Sequence, residues 1–419
     1  MPMNAHPFSR RQKVLRAVGN PISSRRPRIV VASYSTVLKA GIATRPAAST
    51  PLHENTMVRP VSHFFELDAP GIFMGNFKYG NIERARALNL FPCNVKHRFF
   101  TVKIEETPCP KFKRDADSVS FHWVQANPGG NLVYVERRWA KRCRGFMEID
   151  SLFSAEPVLR FNPAFRRWAR SRLSKFPPVT DYLTDMVTLR LLCDEILSFH
   201  GSCFANEENG FVITGLPGAG KTQTTLRLLA KNPVLDFVSE DIVMIDGAQT
   251  AYSVPLTQTI QKRGPKSRRQ VIREKIHYIF HKDHLFNKDV FAMFPEISQR
   301  LRNFVRIKTV FVLERGPVPS RRLIPDGPEK NEMIKKIVRI HHLEFNYWRN
   351  EVILDYLLLN SDDEITVFME KEAALVRRFL TSVNVIELKA PRSSDYAGLL
   401  SEWMRREPSY EPENQHAAV

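Results

Sequence analysis

The sequence predicts an α/β protein whose larger part is built around a glycine-rich, phosphate-binding (P-loop) core. A smaller β-rich α+β domain precedes that core. Three observations carry this expectation. The stretch GLPGAGKT (Gly215, Leu216, Pro217, Gly218, Ala219, Gly220, Lys221, Thr222) has the G-x-x-x-x-G-K-[ST] form. It stands between an apolar run, FVIT, and a helix-forming run, TQTTLRLLAK, which is the strand–loop–helix context such a motif needs. Upstream, residues 55 to 165 read as short β segments divided by turns. The expected divisions are a basic tail or transit peptide over 1–53, the α+β domain over 54–180, the loop-bearing domain over 181–405 and a polar tail over 406–419.

The chain has 419 residues, more than one hydrophobic core usually reaches, so two domains plus extensions are expected. Apolar residues at 43% and charged residues at 25% are those of an ordinary globular protein. No long uncharged apolar run is present, which argues against a membrane-spanning helix. The five cysteines are scattered without a C-x-x-C pair, which argues against a disulfide framework or zinc knuckle and fits a reducing compartment. The net charge of +18 suggests nucleic acid until it is located. Residues 1–53 hold nine Lys or Arg and no Asp or Glu, with much Ser, Ala and Pro, so half the excess lies in the tail. That composition suits an organellar transit peptide, with SRRQKVLRAV as a short basic amphipathic helix, or equally a basic tail. Cytoplasmic and organellar locations both stay open. The remaining charge is dispersed and demands no nucleic-acid partner.

In chain order, HFFELD, FFTVKI, SVSFHWV and NLVYVERRW carry the β-branched and aromatic residues of strands, with PGG (Pro128 to Gly130) as a hairpin turn. FNPAFRRWARSRL starts a helix with Asn162 as cap and Pro163 at its first position. DYLTDMVTLRLLCDEILSF places Leu183, Met186, Val187, Leu191 and Leu197 at helical spacing, so one helix is expected to run up to His200. SCFA and FVIT are strands joined at an Asn-Gly turn, and DFVSEDIVMID is a further β run. KTVFVLERG and VNVIELKAP are expected core strands, with helices over RQVIREKIHYIFHKDH and EKNEMIKKIVRIHHLEF between them. No internal repeat is visible.

The loop's chemistry follows from its residues. Glycines let the backbone turn so that several N–H groups face one concavity at a helix N-terminus. Lys221 adds a full charge for the β- and γ-phosphates of ATP, and Thr222 a hydroxyl for Mg²⁺. The pair Glu240-Asp241 ends the β run after the loop's helix. A strand there is expected to lie beside the loop's own strand, so that one carboxylate reaches the metal and the other an acceptor hydroxyl as general base.

FHGSCFA, GFVITGLPGAGKTQTTLRLL and FVSEDIVMID together resemble the core of the HPr kinase/phosphorylase-like proteins of the phosphoenolpyruvate carboxykinase superfamily. The likeness is strong over residues 183–258, looser at VFVLERG and VNVIELKAP, and faint before residue 180. It implies that Lys221 and Thr222 hold ATP and Mg²⁺, and that one of the acidic pair acts on a serine-type hydroxyl with His200 beside it. Asp241 is taken as the base and Glu240 as support and metal ligand, with the reverse left open. Three departures stand out. Glu240 replaces an aspartate, Thr222 replaces a serine, and YSVPLTQTIQKRGPKSRRQ stands where true HPr kinases carry a glycine-rich run of the E-L-R-G-L-G-I type. The HPr protein is therefore not a safe substrate.

Arg263, Lys266, Arg268 and Arg269 form either a basic loop over the phosphate or a solvated charge run. Glu314 is a further candidate metal ligand. His277, His281 and His284 hold two imidazoles four apart but lack the glutamate of an H-E-x-x-H site, so no metal is assigned to them. His341 and His342 are adjacent and should face different ways on a helix. The expected activity is ATP- and Mg²⁺-dependent transfer to a hydroxyl on a protein, peptide or small molecule. The alternatives are an ATP-binding regulatory module without transfer and a nucleic-acid-associated ATPase. Whether the chain forms a homo-oligomer is open.

Overall fold

In the computed structural model, Cα packing divides the chain into Met1–His53 and Glu54–Val419. The described residues all lie in the second unit: 64–68, 100–114, 118–121, 124–126, 131–140, 143–171, 174–207, 209–253, 259–261, 269, 272, 287–289, 297, 300–345, 347–360 and 364–406. The Pro128–Gly130 turn and most of the helix expected over residues 269–284 fall outside them.

The fold is mixed α/β. The first strands are β1 (Phe65–Asp68), β2 (Phe100–Glu106), β3 (Val119–Phe121), β4 (Val124–Ala126), β5 (Leu132–Ala140), β6 (Cys143–Asp150) and β7 (Val158–Phe161). They make a seven-stranded sheet in the order β1-β2-β7-β6-β5-β4-β3. Helix α1 (Pro163–Ala169) follows, and Asn162 caps it as its sequence predicts, Oδ1 accepting from Phe165 N at 2.8 Å.

Helix α2 (Val179–Cys193) is shorter than its periodicity suggests. Glu195 takes a positive φ of 59° and turns the chain, and Leu197–His200 emerges as strand β8 with all four residues buried. Helical spacing and a buried apolar strand are indistinguishable over four residues, and pairing with a neighbour decides. Next come β9 (Ser202–Asn206), β10 (Asn209–Gly215), α3 (Lys221–Lys231), β11 (Asp236–Ser239), β12 (Ile242–Ile245) and β13 (Thr250–Tyr252). The expected Asn-Gly turn is also displaced: Asn209 pairs with Asn206 and Gly210 lies within β10. A Cβ on Gly210 would meet Val305 Cγ1 at 2.7 Å, so close strand packing is what requires glycine there.

Strands β14 (Thr259–Gln261) and β15 (Asn287–Asp289) form a separate pair. The chain closes with β16 (Phe304–Arg315), β17 (Ser320–Leu323), α4 (Pro328–Glu344), a 3₁₀ turn (Tyr347–Arg349), α5 (Glu351–Asn360), α6 (Ile365–Thr381), β18 (Asn384–Ala390) and α7 (Tyr396–Arg406). Among the described residues the second sheet has nine strands, β11-β9-β10-β16-β13-β12-β8, with β18 on β16 and β17 on β18. Its centre is parallel: Gly215 pairs with Leu313, and Leu313 with Leu388. Strand β11 does not lie beside β10 as its chain position suggests, because the tight hairpin puts β9 between them.

Alternation along the central strands builds two cores. Val212, Val310, Val312 and Val385 face a cluster shared with α2, α4 and α6. Phe211, Ile213, Phe311, Leu313 and Leu388 face a second cluster with α3 and α7. The sheet is thus covered on both faces, as near-continuous apolar parallel strands require. The first cluster also takes in Val102, Val133, Met147 and Leu159 of the seven-stranded sheet. No helix among the described residues is long and apolar enough to cross a membrane.

Candidate functional site

The glycine loop joins the end of β10 to the start of α3. Its crest, Leu216 to Gly218, is exposed, and Ala219 N donates to Leu216 O at 3.0 Å to close the turn. Gly220 has φ 106°, and a Cβ there would also lie 2.7 Å from Ser393 Cβ, so a side chain is excluded twice. Gly220 has no side chain to cap α3. The first-turn N–H groups are therefore left to a ligand or water. Lys221, 8% exposed, folds back so that Nζ donates to Gly215 O at 2.9 Å and Leu216 O at 3.3 Å. Burial pushes its pKa down, against the pull of Glu344, Asp241 and Glu240.

Glu240 and Asp241 form the corner between β11 and β12. Asp241 has φ 65°, a conformation few non-glycine residues adopt, and its backbone O accepts from Gly201 N at 3.1 Å. That link sets the corner against the residue following His200. Glu240 is buried, and the Thr222 hydroxyl donates to its Oε1. Burial, reinforced by Asp241 and opposed by Thr222 and Lys221, pushes the Glu240 carboxyl up to about 8.

His200 lies between two carboxylates, with Nδ1 3.6 Å from Asp241 Oδ1 and Nε2 3.3 Å from Glu344 Oε1. Burial pushes its pKa below the usual range, opposed by Glu344 and Asp241 and helped by Lys221. Its backbone is held at both polar atoms: O accepts from Thr214 Oγ1 at 2.9 Å, and N donates to His341 Nε2 at 3.3 Å. Behind it, His341 Nδ1 and His342 Nε2 both face Glu372, at 3.7 and 3.5 Å, and Tyr347 Oη donates to the same carboxylate at 2.7 Å. The two histidines therefore converge, contrary to the expectation from helix geometry, because Glu372 on α6 reaches both.

The loop, Lys221, Thr222, Glu240, Asp241 and His200 thus form one constellation. Glu314 instead pairs with Lys336 on α4. Arg269 is exposed, whereas Arg263, Lys266, Arg268, His277, His281 and His284 lie outside the described residues. Glu344 and Ser393 escaped the sequence reading. Glu344 reaches His200 from the last turn of α4, and no local spacing in HHLEF announces it. Among the described residues no three His, Cys, Asp or Glu are grouped to hold a metal by themselves. The donor set suits Mg²⁺ bound with nucleotide phosphates, which typically uses one or two carboxylates and completes its shell with phosphate and water. Glu240, kept buried against a hydroxyl with its carboxyl held up to about 8, is a carboxylate that a cation would stabilise.

No family model matches the chain, and comparison with curated proteins finds no match. Among solved structures, the HPr(Ser) kinase/phosphatase from Coxiella burnetii is similar over 51% of this chain and 99% of its own, at 11% identity and a TM-score of 0.24. A likeness that slight carries no argument about activity.

Proposed function

We propose that the protein is an ATP- and Mg²⁺-dependent phosphotransferase of the HPr kinase-like type, with a P-loop core, acting on a serine-type hydroxyl of a protein, peptide or small molecule. The observation that supports this reading is the meeting, at one loop, of Lys221, the Thr222–Glu240 pair and the Asp241–His200–Glu344 row. Lys221 and the loop amides bind the phosphates of ATP, and Lys221 gives up its loop carbonyls to do so. Thr222 and Glu240 would hold Mg²⁺, which when bound offsets phosphate charge. Asp241, with 44% of its side chain exposed, stands at the mouth and takes the proton of the attacking hydroxyl. That oxygen bonds to the γ-phosphorus as the bond to the ADP oxygen breaks. His200, anchored by Glu344, orients Asp241. Positioning and electrostatics supply most of the acceleration.

The test is incubation of the full chain with γ-labelled ATP and extracts or candidate amino acids. Label is expected on a separable acceptor. Thr222→Ala should abolish it, and Asp241→Asn should lower the rate by about 10²–10⁴-fold with ATP still bound. Full activity in Asp241→Asn would refute the base assignment. Tight ATP binding with no labelled acceptor would point to the regulatory module.

A further inference from the structure

Where β5, α1, α2 and the start of α5 meet, a separate recess of about 300 Å³ opens. That volume is at the lower end for small-molecule sites. Its walls are apolar: Trp168, Phe176, Pro177 and Val352, with the first two rings edge to face at 5.5 Å. Among the described lining residues are three cations, Arg137, Lys175 and Arg349, and Glu351, while Asp181 and Asp185 act on Tyr182 from α2. Arg349 is stiffened by its stacking on Trp348, 4.2 Å from the ring centroid.

Two further lining residues carry the inference. Tyr182 is fully buried, and its hydroxyl has no hydrogen-bond partner among the described residues. Asn350 is 8% exposed, and Nδ2 donates to Asp185 Oδ2 at 2.7 Å, which fixes the orientation of the amide. That orientation leaves Asn350 Oδ1 as a buried acceptor, again without a partner among the described residues. Buried polar atoms are nearly always bonded, and each one left unmade is costly. A donor and an acceptor of this kind meet at one recess whose exposed lining carries Lys175 and Arg349.

We propose that this recess binds a small organic carboxylate. Its carboxylate pairs with Arg349 and Lys175, its aromatic or branched body lies against Trp168 and Phe176, and its polar substituent meets Tyr182 Oη and Asn350 Oδ1. None of these residues belongs to the glycine-loop site, so the assignment stands apart from the phosphotransferase reading.

Calorimetric titration of the full chain with 3-phenylpropanoate tests it, with acetate and 3-phenylpropanol as half-probes. The intact probe is expected to bind at least about tenfold more tightly than either half. Lys175→Ala and Arg349→Ala, at exposed positions that leave the core intact, should each weaken binding several-fold. Tyr182→Phe should leave the affinity for 3-phenylpropanoate largely unchanged while weakening 3-(4-hydroxyphenyl)propanoate. Lys221→Ala should change nothing. Equal binding of the acid and the alcohol, no effect of the double Lys175→Ala/Arg349→Ala variant, or loss of binding in Lys221→Ala would each overturn the assignment.

Discussion

Asp150 in the seven-stranded sheet and Glu240 in the nine-stranded sheet are carboxylates pushed in opposite directions. In the seven-stranded sheet, Glu148 is fully buried and accepts from Phe112 N at 2.7 Å and Lys111 N at 3.1 Å, yet burial still pushes its pKa up. Its neighbour Asp150 accepts from Lys111 Nζ and Arg160 Nη1, each at 2.9 Å, and from Ser151 Oγ at 2.8 Å. Burial pushes Asp150 upward, but these bonds outweigh it and hold the pKa below its ordinary value. In the nine-stranded sheet, burial wins at Glu240 despite Thr222 and Lys221. Asp150, held down by two cations and a hydroxyl, is part of the scaffold. Glu240, held up by burial beside Asp241 with its positive φ, is suited to an incoming cation.

The largest way to break that contrast is Glu240→Gln. Glu240 has a pKa of about 8 in the fold against an ordinary 4.5. The native state therefore holds this proton more tightly than the unfolded chain. The resulting stability is full below pH 4.5 and is lost as pH rises through about 8. At ~1.4 kcal/mol per unit, the effect is on the order of 4–5 kcal/mol across that window. Denaturant unfolding without Mg²⁺ should show stability falling from pH 5 to 8 in the parent and a flatter profile in Glu240→Gln. Parallel profiles would erase the distinction between Glu240 and Asp150.

Arg160→Met probes the other side. Removing the guanidinium leaves Glu148 and Asp150 with less compensation, and stability should drop by about 2–3 kcal/mol, less than a fully lost buried pair because Lys111 stays. The deficit should shrink on acidification, as Asp150 protonates. A neutral result would make this network ornamental. The smallest expected effect is at Gly218, where φ is 75° and the space around a Cβ is open. Gly218→Ala meets backbone strain alone, about 1 kcal/mol, read as a small decrease in melting temperature.

Much of this was legible in the chain because its signals are local. The loop announces itself by glycine spacing, Asn162 by its place before Pro163, and β16 and β18 by their Val- and Ile-rich segments. Signals failed where several structures share one local pattern. LSFH continues a helical period and is nevertheless a strand, because Ile242 and Val243 are there to pair with it. Asn209-Gly210 has turn chemistry and nevertheless lies in β10, because Val305 and Ile307 press against it.

The constellation around His200 divides the same way. Lys221, Thr222, Glu240 and Asp241 could be named from residue type and spacing, since short strands and one helix hold them within reach. Glu344, Glu372 and Ser393 could not. They arrive from α4, α6 and the turn after β18, and only the packing of those elements on a common sheet brings Glu344 to His200, Glu372 to the histidines behind and Ser393 to Gly220. Residue chemistry is written in the chain, but proximity between distant segments is an outcome of burying both faces of that sheet.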